Sequence, residues 1–368
     1  MGDVVGRLRR AGGKLCCNKK SSTSTLFRDA KRHACVKMGA LGCLHFAYFS
    51  IMSRGQKILT TSEYGNAKPF LKWAGGKTQL IDSIKNHLPK ELFISKSWTY
   101  VEPFVGSGAI LFWMLNNFPN IKKAVINDVN SDLINTYQVI ASTPKELIKI
   151  LKDWETEYHN FKGDRIKQEE CYYYKRDLYN RRSSEKIVQG ALFIFLNRSC
   201  FNGLYRVNRK NQFNVPIGSY KAPTICDEEN ILSVNNALKK VEFLNGDFEN
   251  TLSCAETNSF FYFDPPYKPL SQTSSFNSYA KDEFNDEEQI RLRNFCDKLD
   301  NKGINWMLSN SDVKGKNVEN NFFDDIFCHY NINRVKAKRM INANASKRGE
   351  LLELLITNYK NEQALSVA

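Results

Sequence analysis

The chain has 368 residues, 42% of them hydrophobic and 25% charged, which is ample for a buried core and excludes global disorder. Its formal charge is +14, unevenly placed, and the mildly basic body beyond residue 53 fits a polyanionic partner. At ~100–200 residues per domain the length suggests two domains, or one large domain carrying an insertion.

The chain changes character at about Met52. Residues 1–53 hold ten Lys and Arg against Asp3 and Asp29, which is +8 of the total and leaves +6 for the remaining 315 residues. Three readings are open for this segment: a targeting presequence, a basic arm that touches nucleic acid, or upstream sequence ahead of a start at Met52. Its apolar run near Ala40 to Met52 is broken by Gly42, His45 and Ser50 and is too short to span a bilayer, so no membrane span is expected. Cys16, Cys17, Cys35 and Cys43 also lie here. The other six cysteines (Cys171, Cys200, Cys226, Cys254, Cys296, Cys328) are scattered with no CxxC pairing. That pattern suits reduced thiols in a cytosolic protein better than disulfides or a zinc site. The five histidines show no ligand spacing, so no metal is expected.

From Ser53 onward, short apolar runs end in polar residues and read as buried strands. In chain order they are Thr99–Glu102, Ala124–Asp128, Val241–Asp247, Phe260–Asp264, Ile304–Asn310 and Leu351–Tyr359. Helical spacing falls between them: Leu80, Ile81, Ile84 and Leu88; then Ile110 to Leu115; then Leu133 to Ile140. Alternation of strand and helix predicts an α/β sheet with its ligands at the carboxyl ends of the strands. Four of the strands end in an acid there: Glu102, Asp128, Asp247 and Asp264. The stretch from Pro144 to Pro223 breaks the rhythm. It is helical first, with Ile187, Val188, Ala191, Leu192, Phe195 and Leu196 on one face, then polar and aromatic from Asn197 to Tyr220. It reads as an inserted domain, helical with a hairpin-like loop.

Four segments carry chemistry. Glu102-Pro103-Phe104-Val105-Gly106-Ser107-Gly108 follows a strand and opens a helix, so its glycines let backbone approach a ligand. Leu111 stands where a dinucleotide fingerprint has its third glycine, which argues against a nicotinamide site; Asp128, about 20 residues on, can accept bonds from ribose hydroxyls. Together they fit a nucleoside-containing ligand. Asp264-Pro265-Pro266-Tyr267 is the most specific motif. Its prolines stiffen the turn and bring no competing amide donor, so the Asp264 carboxylate and the Pro265 carbonyl can accept both hydrogens of an exocyclic amine while Tyr267 stacks on the attached ring. Phe70-Leu71-Lys72-Trp73-Ala74-Gly75-Gly76-Lys77 can close over a ligand, but the P-loop spacing is absent. Asn197 to Asn208 mixes arginines, amides and aromatics suited to reading base edges and filling the gap of a displaced base; by itself such a stretch also fits a solvated loop.

With these residues in view, residues 68–360 resemble the Dam-type DNA adenine-N6 methyltransferases, especially the Dpn-type methylases of GATC restriction systems. The matching motifs, in the family's order, are FLKWAGGK (70–77), VEPFVGSGA (101–109), INDVNSDLIN (126–135), FNGLYRVNRKNQFNVPIGSYK (201–221) and YFDPPYKPLS (262–271). The resemblance implies a Rossmann-like S-adenosylmethionine (AdoMet) methyltransferase sheet with helices on both faces. Residues 54–143 and 224–360 would form a discontinuous catalytic domain, 144–223 an inserted DNA target-recognition domain, and 361–368 a tail. It implies AdoMet as methyl donor and no metal. By position, Trp73, Lys77, Asp128 and Asp264 would contact the donor and Gly106 and Gly108 would approach it by backbone. Glu102 and Phe104 belong to the same cofactor set, and Asp247 and Phe248 would flank its adenine. Asp264, Pro265, Pro266 and Tyr267 match the catalytic motif, and Lys72, Phe201, Asn202, Leu204, Arg206 and Pro216 match DNA-contacting positions. The expected partners are double-stranded DNA and a separately encoded restriction endonuclease. The expected state is a monomer, in the cytoplasm. A DNA-binding protein without turnover, and methylation of RNA or protein, are the rival readings.

Overall fold

The computed structural model describes residues 65–73, 77–268, 284–315, 317–338 and 350–360. The readings placed on the first 53 residues, on residues 74–76 and on the tail lie outside them. Seven strands form one sheet: β1 Trp98–Glu102, β2 Ile121–Asp128, β3 Val241–Asn245, β4 Ser259–Phe263, β5 Asn305–Ser311, β6 Asn331–Lys338 and β7 Glu350–Thr357. Their order is β3-β2-β1-β4-β5-β7-β6. The first five run parallel, and β7 lies antiparallel between β5 and β6.

The runs read as strands are near-continuously apolar because both faces of the sheet are covered. Side chains alternate across it. Tyr100, Phe260, Tyr262, Met307 and Leu355 enter one core, while Val101, Phe261, Phe263, Leu308 and Leu354 enter the other. The first core is closed by α1 (Ile81–His87), α3 (Ala109–Asn117), α4 (Ser131–Ser142), α5 (Pro144–Asn160), α6 (Arg165–Arg181), α7 (Lys186–Ser199) and α8 (Glu228–Leu238), with the short α2 (Glu91–Ile94) at its edge. The second is closed by α9 (Asp286–Asp300) and α10 (Phe322–Ile326). The result is the Rossmann-like α/β architecture expected from the sequence.

Local chemistry sets the helix starts. Asn130, Asp164, Asp227 and Asn285 each accept the backbone N–H three residues on, capping α4, α6, α8 and α9. Pro144 opens α5, where its missing N–H costs nothing. In α7, residues 189–197 are all buried, so the helix is enclosed on every side and not along one face as its spacing suggested. The reason is its position: it packs against α4, α5 and α6 together. Its Phe193 and Phe195 are each at most 2% exposed, and truncating one such ring to alanine costs about 3–5 kcal/mol.

After α7 the chain makes a hairpin-like loop, pinned by antiparallel bridges Cys200–Ile217 and Val207–Phe213. Its tip is set by Asn208, whose Oδ1 accepts the N–H groups of Lys210 and Gln212 at 2.9 and 3.0 Å, with Asn211 left-handed at φ 57°. β6 and α9 were not read from the sequence; β6 alternates charged with apolar residues at the sheet's edge, a weaker signal than the central runs. Among the described residues, no helix is long and apolar enough to cross a membrane.

Candidate active site

The carboxyl ends of β2, β1 and β4, three neighbours in the sheet, deliver Asp128, Glu102 and Asp264 to one edge. Glu102 is 2% exposed and accepts the Tyr100 hydroxyl at 2.7 Å. Burial pushes its carboxyl well above the usual range; Tyr100 opposes this, and the charges of Asp264 and Asp128 add to it. Asp128 is raised by burial as well, against the backbone N–H of Asn130 on Oδ1 (2.9 Å) and that of Gly106 on Oδ2 (3.1 Å).

The turn after β1 needs its glycines. Gly106 and Gly108 are left-handed at φ +49° and +76°, a region that costs an L-residue ~1–2 kcal/mol. A Cβ on Gly106 would lie 3.2 Å from Trp73 Nε1, and one on Gly108 would lie 2.5 Å from the Tyr137 hydroxyl. That hydroxyl donates to the Gly106 carbonyl at 3.0 Å. Asn127, 1% exposed, donates to the carbonyls of Pro103 and Gly246 at 3.0 and 2.9 Å, tying the turns after β1 and β3 together.

Asp264 follows β4. Lys77 Nζ lies 3.0 Å from its Oδ1 and Ser309 Oγ 3.1 Å from the same oxygen. Burial raises the Asp264 carboxyl above the usual aspartate range, while Lys77 and then Ser309 hold it down. Lys77 Nζ also sits 4.0 Å over the Tyr267 ring, and Tyr267 donates its hydroxyl to Glu353 Oε2 at 2.7 Å. Pro265 is buried and Pro266 exposed. The Pro266 carbonyl accepts Gln289 Nε2 at 3.2 Å, and Gln289 in turn accepts Asn310 Nδ2 at 3.1 Å. Thus one of the two proline carbonyls is already taken, by a side chain from α9.

The other sequence-singled residues divide into two groups. Phe248 is 3% exposed and packs on Phe104, ring centroids 5.3 Å apart. Neighbouring Asp247 is exposed, and both its oxygens are held by Arg291 at 2.9 and 2.6 Å; that ion pair holds its carboxyl below the usual range. On the hairpin-like loop, Phe201, Asn202, Leu204, Arg206 and Pro216 are all exposed, with Phe201 at 48%. Arg206 Nε donates to Asn214 Oδ1 at 2.8 Å, which fixes the direction of its guanidinium. Lys72 Nζ lies 4.2 Å over the Tyr220 ring. Ser309, Glu353 and Gln289 escaped sequence reasoning; Tyr205, read only as one aromatic of the Asn197–Asn208 run, stacks on Trp73 at 5.5 Å and 18°. Among the described residues no group of three or more His, Cys, Asp or Glu could hold a metal ion.

A Rossmann-like sheet with a glycine turn after β1, an acid ending β2 and an Asp-Pro-Pro-Tyr turn after β4 defines a methyltransferase. The profile of the D12 class N6 adenine-specific DNA methyltransferases matches residues 73–341. A type II methyltransferase of Methanocaldococcus jannaschii, M.MjaIII, is 48% identical over 295 residues, covering 79% of this chain and 99% of its own length. A type II methyltransferase of Lactococcus lactis subsp. cremoris, M1.LlaDCHI, is 39% identical over 298 residues, 80% of this chain and 97% of its own. The DNA adenine methylase of Escherichia coli K12 is 32% identical over 288 residues, 78% and 94% respectively. The chain belongs to the D12 class of N6 adenine-specific DNA methyltransferases, and its activity is methylation of adenine in DNA.

Proposed function

We propose that this enzyme takes its methyl group from AdoMet, acts on double-stranded DNA at GATC with the adenine turned out of the helix, and serves in DNA protection or marking, as the type II relatives' names suggest. The observation that carries the reading is the Lys77–Asp264–Tyr267 cluster standing beside the glycine turn. The local chemistry fits a sulfonium-bearing nucleoside. The left-handed glycines let the turn's backbone pass close against Trp73 and Tyr137, where a Cβ would not fit. Each Asp128 oxygen accepts one backbone donor and keeps capacity for a ribose hydroxyl. The acids Asp128 and Asp264, with Trp73 beside the turn, suit a cation. Phe104, backed by buried Phe248, offers an apolar face for its base, with Asp247 beside them.

When bound, AdoMet supplies an electrophilic methyl group. The chain's residues do the rest by orientation. Turning the base out costs roughly a few kcal/mol, and Tyr267 gives its ring a stacking face. Lys77 and Ser309 both engage Asp264 Oδ1, so Oδ2 is the oxygen offered to N6. Gln289 occupies the Pro266 carbonyl, which leaves the Pro265 carbonyl as the second acceptor. Two acceptors would fix the amine hydrogens and turn the nitrogen lone pair toward the methyl group; the nitrogen–carbon bond would form as the sulfur–methyl bond breaks, the donor would leave as the neutral thioether S-adenosylhomocysteine, and the proton that N6 sheds would have Asp264 beside it. Positioning and charge stabilisation of this kind supply the acceleration. Phe201, Asn202, Leu204, Arg206 and Pro216, with Lys72, form the exposed surface for the duplex, and residues 144–223 form the target-recognition part.

Incubation of the protein and AdoMet with unmethylated plasmid, followed by modification-sensitive sequencing, tests the reading, with Asp264→Ala as the inactive control. N6-methyladenine confined to GATC is expected. Methyladenine in another context would overturn the recognition assignment, and Asp264→Ala losing duplex binding together with turnover would overturn the catalytic one.

A further inference from the structure

We infer that Asn197 is a positioning residue that locks the DNA-facing loop to the donor-facing segment, so that duplex and methyl donor bind with reciprocal, positive coupling; this rests on the reading that residues 201–216 meet DNA and that Trp73 and Lys77 border the donor.

Asn197 lies near the end of α7 and is 2% exposed. Its Oδ1 accepts the Lys72 N–H at 2.8 Å. Its Nδ2 donates to the Lys72 carbonyl at 2.8 Å and to the Gly203 carbonyl at 3.1 Å. One buried amide therefore holds both backbone groups of Lys72, 125 residues away in sequence, and the end of the Phe201–Gly203 turn. Both amide hydrogens are used, and no other side chain of this size offers one acceptor and two donors in this arrangement.

Two more contacts tighten the same joint. Gly203 is left-handed at φ +63°, and a Cβ there would lie 2.5 Å from Lys72 Cβ, so the Lys72 side chain crosses the loop where glycine alone fits. Tyr205 turns inward between exposed Leu204 and Arg206 and stacks on Trp73 at 5.5 Å. Phe201, Leu204 and Arg206 thus face outward from a loop whose other side is fastened to the residue next to Trp73. A packed joint of this kind transmits displacement instead of absorbing it. Whatever orders the loop on DNA orders Trp73 beside the glycine turn, and by linkage the donor returns the same factor to the duplex.

The test uses the full chain, S-adenosylhomocysteine as an unreactive probe of the donor site, and a duplex with one central GATC. Each Kd is measured alone and with the other component saturating. In the wild type the probe is expected to bind at least about fivefold tighter with duplex present, the lower end of ordinary coupling. Asn197→Asp keeps the Lys72 N–H bond but sets an oxygen against two carbonyls, and should bring the ratio close to one even where the melting temperature is retained. Tyr205→Ala, which leaves Asn197 intact, should reduce the ratio as well. A wild-type ratio of one, or a full ratio in folded Asn197→Asp, overturns the inference; if Asn197→Asp does not fold, a full ratio in Tyr205→Ala does so. Failure of the underlying functional reading looks different: the probe would not bind, or Phe201→Ala and Arg206→Ala would leave duplex affinity and base preference unchanged.

Discussion

Replacing Gly108 by alanine separates two costs that are usually confounded. The backbone cost comes from φ +76° and amounts to ~1–2 kcal/mol for an L-residue. The contact cost comes from a Cβ placed 2.5 Å from the Tyr137 hydroxyl and 2.9 Å from Phe112 Cε2; overpacking of this kind costs ~1–3 kcal/mol. Tyr137 and Phe112 are at most 1% exposed, so neither ring has room to retreat, and moving Tyr137 breaks its bond to the Gly106 carbonyl, a further ~1 kcal/mol. The expected loss is ~3–6 kcal/mol by summing these terms. Gly163 and Gly303 supply the controls: both are left-handed, at φ +94° and +68°, and a Cβ on either meets nothing within 4 Å. Gly163→Ala and Gly303→Ala should each cost the backbone term alone, ~1–2 kcal/mol. Urea unfolding of the three variants at matched m-values measures the differences. Equal losses at Gly108 and at the controls would refute the claim that the turn is tightly packed beneath the candidate donor site.

Further outcomes follow from the same contacts. Asp264 must be ionised to accept an N6 hydrogen, and its carboxyl is raised by burial, so turnover should fail on acidification at a higher pH than an ordinary aspartate would allow. Lys77→Met removes the charge that holds Asp264 down and should move the acid limb of the pH–rate profile upward; a limb that stays or moves down refutes the pairing. Tyr100→Phe strips Glu102 of its hydroxyl donor in a fully buried place, with an expected loss of ~1–3 kcal/mol in unfolding free energy; a loss near zero would mean Glu102 is satisfied otherwise. Arg206→Ala should relax one base preference by ~1–3 kcal/mol in competition between single-substituted sites, and an unchanged preference profile would remove Arg206 from recognition.

The sheet's centre was legible because two covered faces leave nearly uninterrupted apolar runs. Phe260 to Phe263 and Trp306 to Leu308 could hardly be anything but strands. The edge strand β6, with Arg334 and Lys336 among its residues, carries a diluted version of that signal and was missed. The face assigned to α7 was wrong for a related reason: periodicity assumes a solvent side, and a helix enclosed by three others has none. At the site, Asp-Pro-Pro-Tyr stood out because short-range stiffness is written in adjacent residues. The hold of Ser309 on Asp264, of Glu353 on Tyr267 and of Gln289 on Pro266 spans 23 to 86 positions, and no local pattern encodes such a pairing. Asn197 was noticed as part of a polar run, whereas its partner Lys72 gives no hint in sequence that its backbone is what matters.

The place of β7 in the sheet bears on the order of events during synthesis. β6 is made before β7, yet it cannot join the sheet directly, because β7 lies between it and β5. Until β7 is made, β5 has an open edge, β6 has no partner in the sheet, and Tyr267 lacks Glu353, the carboxylate that receives its hydroxyl. Domains tend to fold from the N-terminal side as they emerge, but here β7 both covers the edge of β5 and supplies the partner of Tyr267. The parallel half of the sheet can therefore form before β7 is made, whereas the bond between Tyr267 and Glu353 cannot.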